Sequence, residues 1–162
     1  DKLKKKFSYY IDIQGDEPLV DTNDIIRLNN LAINNDCDIT TLACKLKSQD
    51  IDNQNVVKVI CDKNIENKNL GLAKNFLRSS RDINSENIFH HIGIYIYKVS
   101  ILKKFVNLKP TLNEINFRLE QFRALDNNIK INVVFSNFTP VGVDTNEDYI
   151  EIKNLMEYKS KL

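Results

Sequence analysis

Glycine is scarce in this chain of 162 residues: there are 4, where average usage near 7% would give about 11. Gly15, Gly71, Gly93 and Gly142 stand far apart, so neither GxGxxG nor GxxxxGKS/T occurs and a glycine-rich phosphate cradle is excluded. No excess of either charge is present, with 23 basic against 22 acidic side chains and a net charge of +1. That balance argues against a nucleic-acid binder, which usually carries a strong basic surplus. No apolar run approaches the roughly 18 residues of a membrane span, and no signal peptide opens the sequence, so we expect a cytoplasmic protein without stable membrane association. Cysteine is too sparse for a disulfide framework. Cys37, Cys44 and Cys61 cannot all pair and show no CxxC spacing, so they read as reduced, partly buried thiols.

What is present is an ordinary soluble composition, 42% hydrophobic and 28% charged, in a chain long enough to bury about 70% of its unfolded surface. The length suits one domain, or a piece of one, over residues 1–162. The first residue is Asp1 rather than Met, and the chain reads as a fragment or a processed product.

SYYIDI, residues 8–13, predicts a strand that stops at Gln14-Gly15-Asp16-Glu17-Pro18, since proline cannot continue a ladder. Asp21 or Thr22 caps a helix with Ile25, Leu28, Leu31 and Ala32 on one face. DITTLAC (38–44) and NVVKVICD (55–62) read as strands, the second with Val57, Val59 and Cys61 alternating. Residues 63–87 are polar and asparagine-rich, with a short helix over 69–78 as one reading. HHIGIYIYKVS predicts a strong strand, and Ile101, Phe105 and Leu108 then have helical spacing. Thr111-x-x-Glu114 is a capping box that opens a helix to about Leu125, with Ile115, Leu119 and Phe122 on its buried face. KINVVFS (130–136) is the next strand, and Thr145 and Asp148 have capping-box spacing before a last helix. Strands and helices alternate throughout, which predicts an α/β fold with a mixed, mostly parallel sheet flanked by helices.

Asp16 and Asp144 each follow a predicted strand. Asp16 reads either as a turn acid or as a ligand for a hard cation such as magnesium, at the strand end where open α/β sheets gather ligands. Asp144 reads either as a helix-start acid or as a second carboxylate on the same ion. His90 and His91 are successive strand residues and face opposite sides, so they do not ligate one metal together. Tyr95 shares a face with His91, and the pair suits a polyhydroxy ligand. Glu120 and Gln121 fall in the middle of the 112–125 helix, where Arg118 and Arg123 are within pairing distance.

Together these segments resemble a known family. Ile11 to Val20 (IDIQGDEPLV) resembles the VNVQGDEPLI motif of 3-deoxy-manno-octulosonate cytidylyltransferases, the CMP-KDO synthetases. Thr41-Leu42-Ala43 and Asn53 to Ile60 are similar to ATLA and NPNxVKVV, and His91 to Tyr95 to HIGIY. Leu119 to Arg123 is similar to LEQLR, and Gly142 to Asp148 to GVDTPED. The resemblance implies a nucleotidyltransferase that joins CMP from CTP to the sugar acid KDO with magnesium, releasing pyrophosphate, for lipopolysaccharide synthesis in Gram-negative bacteria. It implies that Asp16 and Asp144 hold the metal as the catalytic acids and that Gln14, His91, Tyr95, Glu120 and Gln121 line the sugar pocket. It also implies a homodimer in the complete enzyme.

The departures from the pattern shape two further expectations. In the family, QGDEP lies well inside the chain, after a strand and a basic loop that binds the nucleotide phosphates, whereas here it starts at residue 14. The chain is therefore expected to be an N-terminally truncated nucleotidyltransferase, C-terminal to the nucleotide segment. The rival readings are a non-catalytic remnant that keeps the sugar or dimer surface, and a cytidylyltransferase for another sugar acid. The family's SRxPIPxxR arginine corresponds to Arg78 or Arg81, and Phe117 stands where the family usually has Glu.

Overall fold

In the computed structural model, the described residues are 6–15, 18–67, 70–79, 86–139, 143 and 146–159. The elements run β1 (Tyr9–Asp12), α1 (Thr22–Asn34), β2 (Ile39–Lys45), a 3-10 turn (Ser48–Asp50), β3 (Lys58–Cys61), β4 (Leu70–Leu77) and β5 (Ile88–Lys98). Then come α2 (Val99–Phe105), α3 (Leu112–Phe117), α4 (Gln121–Asp126), β6 (Ile131–Ser136) and α5 (Asn146–Lys159). Asp21 caps α1, its carboxylate accepting from the Asn23 amide at 2.9 Å. The Thr111–Glu114 capping box opens α3 as expected.

The sheet is mixed, in the order β1-β5-β2-β6-β4-β3, with β3 also bonded to β5. Among the described residues only β2–β6 is parallel and the other five pairings are antiparallel. The expected mostly parallel sheet is thus corrected. Its cause is connectivity: β3, β4 and β5 follow one another with no helix between them, and parallel neighbours need a crossover. β1, β2 and β6 nonetheless run in one direction, because β5 opposes both β1 and β2 while β6 parallels β2. Their C-terminal ends share one edge of the sheet.

Strand β5 organises the sheet. One of its edges carries β2; the other carries β1 along Tyr95–Lys98 and β3 along Ile88–His90. Residues 92–94 therefore lack a strand on that second edge. Against β2, Thr41 pairs with Tyr95 and Leu42 with Ile92, so Gly93 and Ile94 are extra residues in β5. Two extra residues preserve the alternation. Phe89 and Tyr95 stay on the face of the larger core with Ile131, Val133 and Phe135, closed over by Phe105, Leu119 and Phe122. Ile92, Ile94 and Ile96 stay on the other face, under Leu28 and Ala32 of α1.

The expected helix over 69–78 is strand β4. Cys61 pairs with Ala73 and Ile60 with Asn75, so Lys74 is a one-residue bulge. A single extra residue flips the alternation, which puts Ala73 and Phe76 on one face at a helix-like spacing. The expected helix from 112 to 125 is two helices, α3 and α4, broken where Arg118 takes a left-handed conformation at φ 53°. Leu119 and Phe122 are buried as expected, but Ile115 is 62% exposed, because the break turns α3 away from the core that receives α4. Thr145 and the side chain of Asp148 lie outside the described residues.

Gly71 is buried in β4, and a Cβ there would stand 2.5 Å from Cγ2 of Ile65, itself fully buried. Gly71→Ala should destabilise the protein by about 1–3 kcal/mol, the usual cost of overpacking. An unchanged midpoint in equilibrium urea denaturation would contradict this contact.

Candidate active site

The larger-core face of β5 presents His91 and Tyr95 side by side, their ring centroids 5.5 Å apart. The edge of His91 also meets Phe76 at 5.3 Å, and Tyr97 stacks on Tyr95 at 5.8 Å. Between His91 and Tyr95 lies Gly93, where a Cβ would stand 3.3 Å from Oε1 of Gln14. Gln14 thus lies over the strand because residue 93 has no side chain. Three residues that the resemblance assigns to the sugar pocket, Gln14, His91 and Tyr95, are together at the stretch of β5 that lacks a strand on one edge.

The carboxylate of Glu120 acts electrostatically on the same tyrosines. Burial raises the pKa of both Tyr95 and Tyr97, and the charges of Glu120 and Asp12 raise it further, so both phenols stay protonated. Glu120 and Gln121 are not mid-helix residues as expected: Glu120 caps α4 and Gln121 begins it. The break at Arg118 separates this turn from α3. Arg123 fixes the turn from behind. Its guanidinium grips both carboxylate oxygens of Glu114, reaches Glu120 at 3.2 Å and lies 5.0 Å over the Phe105 ring.

His91 is buried and neutral. Loss of hydration pushes its pKa down to about 3, with the neighbouring His90 adding to the effect, and no carboxylate is among the charges that act on it. Thr41, fully buried, reaches Nε2 of His91 at 3.0 Å and the carbonyls of Ile94 and Ile92 at 2.8 and 3.1 Å. His90 responds instead to Asp50, Lys58 and Lys47, as expected for the opposite face. Sequence reading assigned Thr41 no role, although a threonine pair inside an apolar strand was visible.

The choice between Arg78 and Arg81 gains one constraint. Arg78 donates to the carbonyls of Gln54, Arg118 and Phe117 at 3.0, 3.2 and 3.3 Å. Lys58, fully buried, donates to those of Asn53 and Arg78 at 2.6 and 2.8 Å. The two cations therefore tie the 53–54 loop, the end of β4 and the α3–α4 break together. Arg81, Asp16 and Asp144 lie outside the described residues. A separate cleft at the start of α1 is lined by Asp21, Asn23, Asp24, Arg27, Asn137 and Phe138. Its charges serve the fold: Arg27 binds Asp24 at 2.7 Å and the Phe135 carbonyl, and Ser136 bonds Asp24.

This architecture is that of an α/β nucleotidyltransferase. It superposes on a solved CMP:2-keto-3-deoxy-manno-octonic acid synthetase complexed with CTP at a TM-score of 0.83 and 25% identity, covering 96% of this chain and 64% of that one. The family profile described as cytidylyltransferase matches residues 2–131, and the chain belongs to that family. A 3-deoxy-manno-octulosonate cytidylyltransferase of Bartonella bacilliformis is 34% identical over 94% of this chain and 63% of its own length. One from Thermodesulfovibrio yellowstonii is 41% identical over 87% of this chain and 57% of its own. The chain thus spans about three fifths of the curated relatives it matches.

His90 and His91 are the chain's 2 histidines, and burial depresses both. The unfolded chain takes up protons below about pH 6.5 that the folded protein refuses, so stability is full above that pH and falls as pH drops toward 3. Urea midpoints should decline between pH 7 and 5, and His91→Gln should remove roughly one proton's share, about 1.4 kcal/mol per pH unit. A wild-type midpoint that is flat across this window would refute the burial of neutral rings.

Proposed function

We propose that this protein transfers CMP from CTP to 3-deoxy-D-manno-octulosonate, releasing pyrophosphate, in lipopolysaccharide synthesis. The observation that carries the reading is the joint patch of Gln14, His91 and Tyr95 around Gly93, faced by Glu120, in a chain of the cytidylyltransferase family. Gln14, His91 and Tyr95 are uncharged and rich in hydrogen-bonding atoms, which suits a polyhydroxylated ligand. Gln14 offers an amide that both donates and accepts, Tyr95 a hydroxyl that stays protonated, and His91 an uncharged ring. Glu120 and Gln121, at the start of α4, complete the sugar side. Such a set orients the attacking hydroxyl, and orientation is a large part of the rate of a two-substrate reaction.

Magnesium belongs to the same reading. The resemblance assigns the metal to Asp16 and Asp144, whose carboxylates suit a hard cation. What supports them is that β1 and β6, the strands they follow, run in the same direction and end on the same edge of the sheet. When bound, the ion supplies positive charge for the developing phosphate oxyanion and lowers the pKa of the sugar hydroxyl. A homodimer is supported by the apolar side chains left in solvent on α3, Leu112 at 79% and Ile115 at 62% exposed.

Pyrophosphate release from CTP, KDO and magnesium tests the reaction, with sialic acid as the competing sugar acid. KDO should be strongly preferred, and Asp16→Asn and Asp144→Asn should each lower kcat by about 10²–10³, the scale of one lost transition-state contact. No release with any sugar acid would refute the reading, and wild-type turnover in either variant would strike that acid from it.

A further inference from the structure

The Thr41 hydroxyl has one proton and three close partners: the carbonyl oxygens of Ile94 at 2.8 Å and Ile92 at 3.1 Å, and Nε2 of His91 at 3.0 Å. Carbonyl oxygens only accept. If the hydroxyl gave its proton to Nε2, it would turn lone pairs toward two carbonyls at bonding distance, at a side chain that is fully buried. Its proton therefore goes to the carbonyls, and its own lone pair faces Nε2. That nitrogen must then carry hydrogen. The carbonyls are there because Gly93 and Ile94 leave the ladder with β2, so the bulge itself dictates where the hydroxyl proton points.

We infer that Thr41 is a positioning residue that holds His91 as the neutral Nε2–H tautomer, so that the ring offers a ligand a lone pair at Nδ1 and reads a hydroxyl rather than a carboxylate. The inference rests on the proposed sugar-acid reading for the nature of the ligand, while the proton placement stands on the hydrogen bonds alone. Burial supports it: a ring that stays neutral cannot pair with an anion, and none of the charges acting on His91 is a carboxylate that would stabilise an imidazolium. The carboxylate of a sugar acid must then be met by another group. Arg78 spends three of its five N–H groups on backbone carbonyls, which leaves two for such a contact.

The test is long-range ¹H–¹⁵N spectroscopy of the histidine rings near pH 7, with His90→Gln used to assign the two sets of signals. His91 should show a protonated-type Nε2 and an unprotonated-type Nδ1, and KDO should shift Nδ1 most. Thr41→Val should mix the tautomers and raise KM for KDO about tenfold with KM for CTP unchanged, the scale of one misplaced hydrogen bond; Thr41→Ser should restore both. A wild-type ring protonated at Nδ1 overturns the inference whether or not Thr41→Val folds, and so does a folded Thr41→Val that keeps both the tautomer and KM. If the Nε2–H tautomer is found but KDO leaves Nδ1 unmoved, the ligand half is overturned. Pyrophosphate release from the same sample then shows whether the sugar reading failed with it.

Discussion

A two-residue bulge in the middle of β5 is the constraint on which the rest depends. An unbroken strand of 11 residues would extend roughly 35 Å and hold β1 and β3 in line along one edge. The bulge bends the strand and increases its twist, so β1 and β3 part, and residues 92–94 are left without a strand between them. Because the insertion is of two residues, Phe89, His91, Tyr95 and Tyr97 all stay on one face. An insertion of one would have put Tyr95 and Tyr97 under α1 and the isoleucines in the site. The carbonyls of Ile92 and Ile94, beside and within the bulge, meet the buried hydroxyl of Thr41 from the neighbouring strand. Fold and site are thus one feature here, since the irregularity that opens the patch also fixes the histidine beside it.

The shortage of glycine is met elsewhere by other means. Three positions with left-handed backbone are Asp36, Arg118 and Asn128, at φ 48°, 53° and 57°. Asp and Asn tolerate that conformation, whereas Arg118 must be held in it. Arg78 does so by binding the carbonyls of Phe117 and Arg118, while Lys58 in turn binds the carbonyl of Arg78. Hydrogen bonds from charged donors contribute about 1.5–3 kcal/mol each, enough to outweigh the strain of one unfavourable backbone angle. Burial lowers the pKa of Lys58, and its two carbonyl partners keep a fully buried amine supplied with acceptors. The turn that carries Glu120 and Gln121 is therefore fastened from beneath by cations and from behind by Arg123.

Much of this was legible in the chain. Asp21 and the Thr111–Glu114 box mark helix starts because a capping side chain must stand at a fixed offset from free amides. Val57, Val59 and Cys61 mark a strand because alternation has one cause. Residues 69–78 were open to a helical reading because a bulge at Lys74 gives the strand, with Ala73 and Phe76 on one face, the spacing of a helix, and no local residue announces it. The α3–α4 break was hidden for a related reason: its left-handed residue is an arginine, held by a partner some forty positions earlier. Sheet direction went astray because parallel order was inferred from alternating elements, while β3, β4 and β5 follow each other directly. In the site, conspicuous residues of the QGDEP, HIGIY and LEQLR-like segments stand out, and Gln14, His91 and Tyr95 lie around Gly93, with the charge of Glu120 acting on Tyr95. Thr41 and Lys58 were passed over because a buried polar residue in a strand looks like any other strand former until its acceptors are known.

The neutrality of Gln14, His91 and Tyr95 bears on the selectivity of the proposed reaction. A positively charged pocket would attract any anion, the nucleotide triphosphate included, and would discriminate weakly among sugar acids. Buried groups that are uncharged yet require partners discriminate differently: a ligand lacking the right hydroxyl leaves an unpaired lone pair or hydroxyl behind, and that penalty separates close analogues more sharply than a missing apolar contact does. Gln14, His91 and Tyr95 form such a set, with burial keeping the ring uncharged and the phenol protonated across the ordinary pH range. In the proposed reaction, charge held by acids outside this uncharged set would act on the reacting oxygens without blurring the recognition of the sugar.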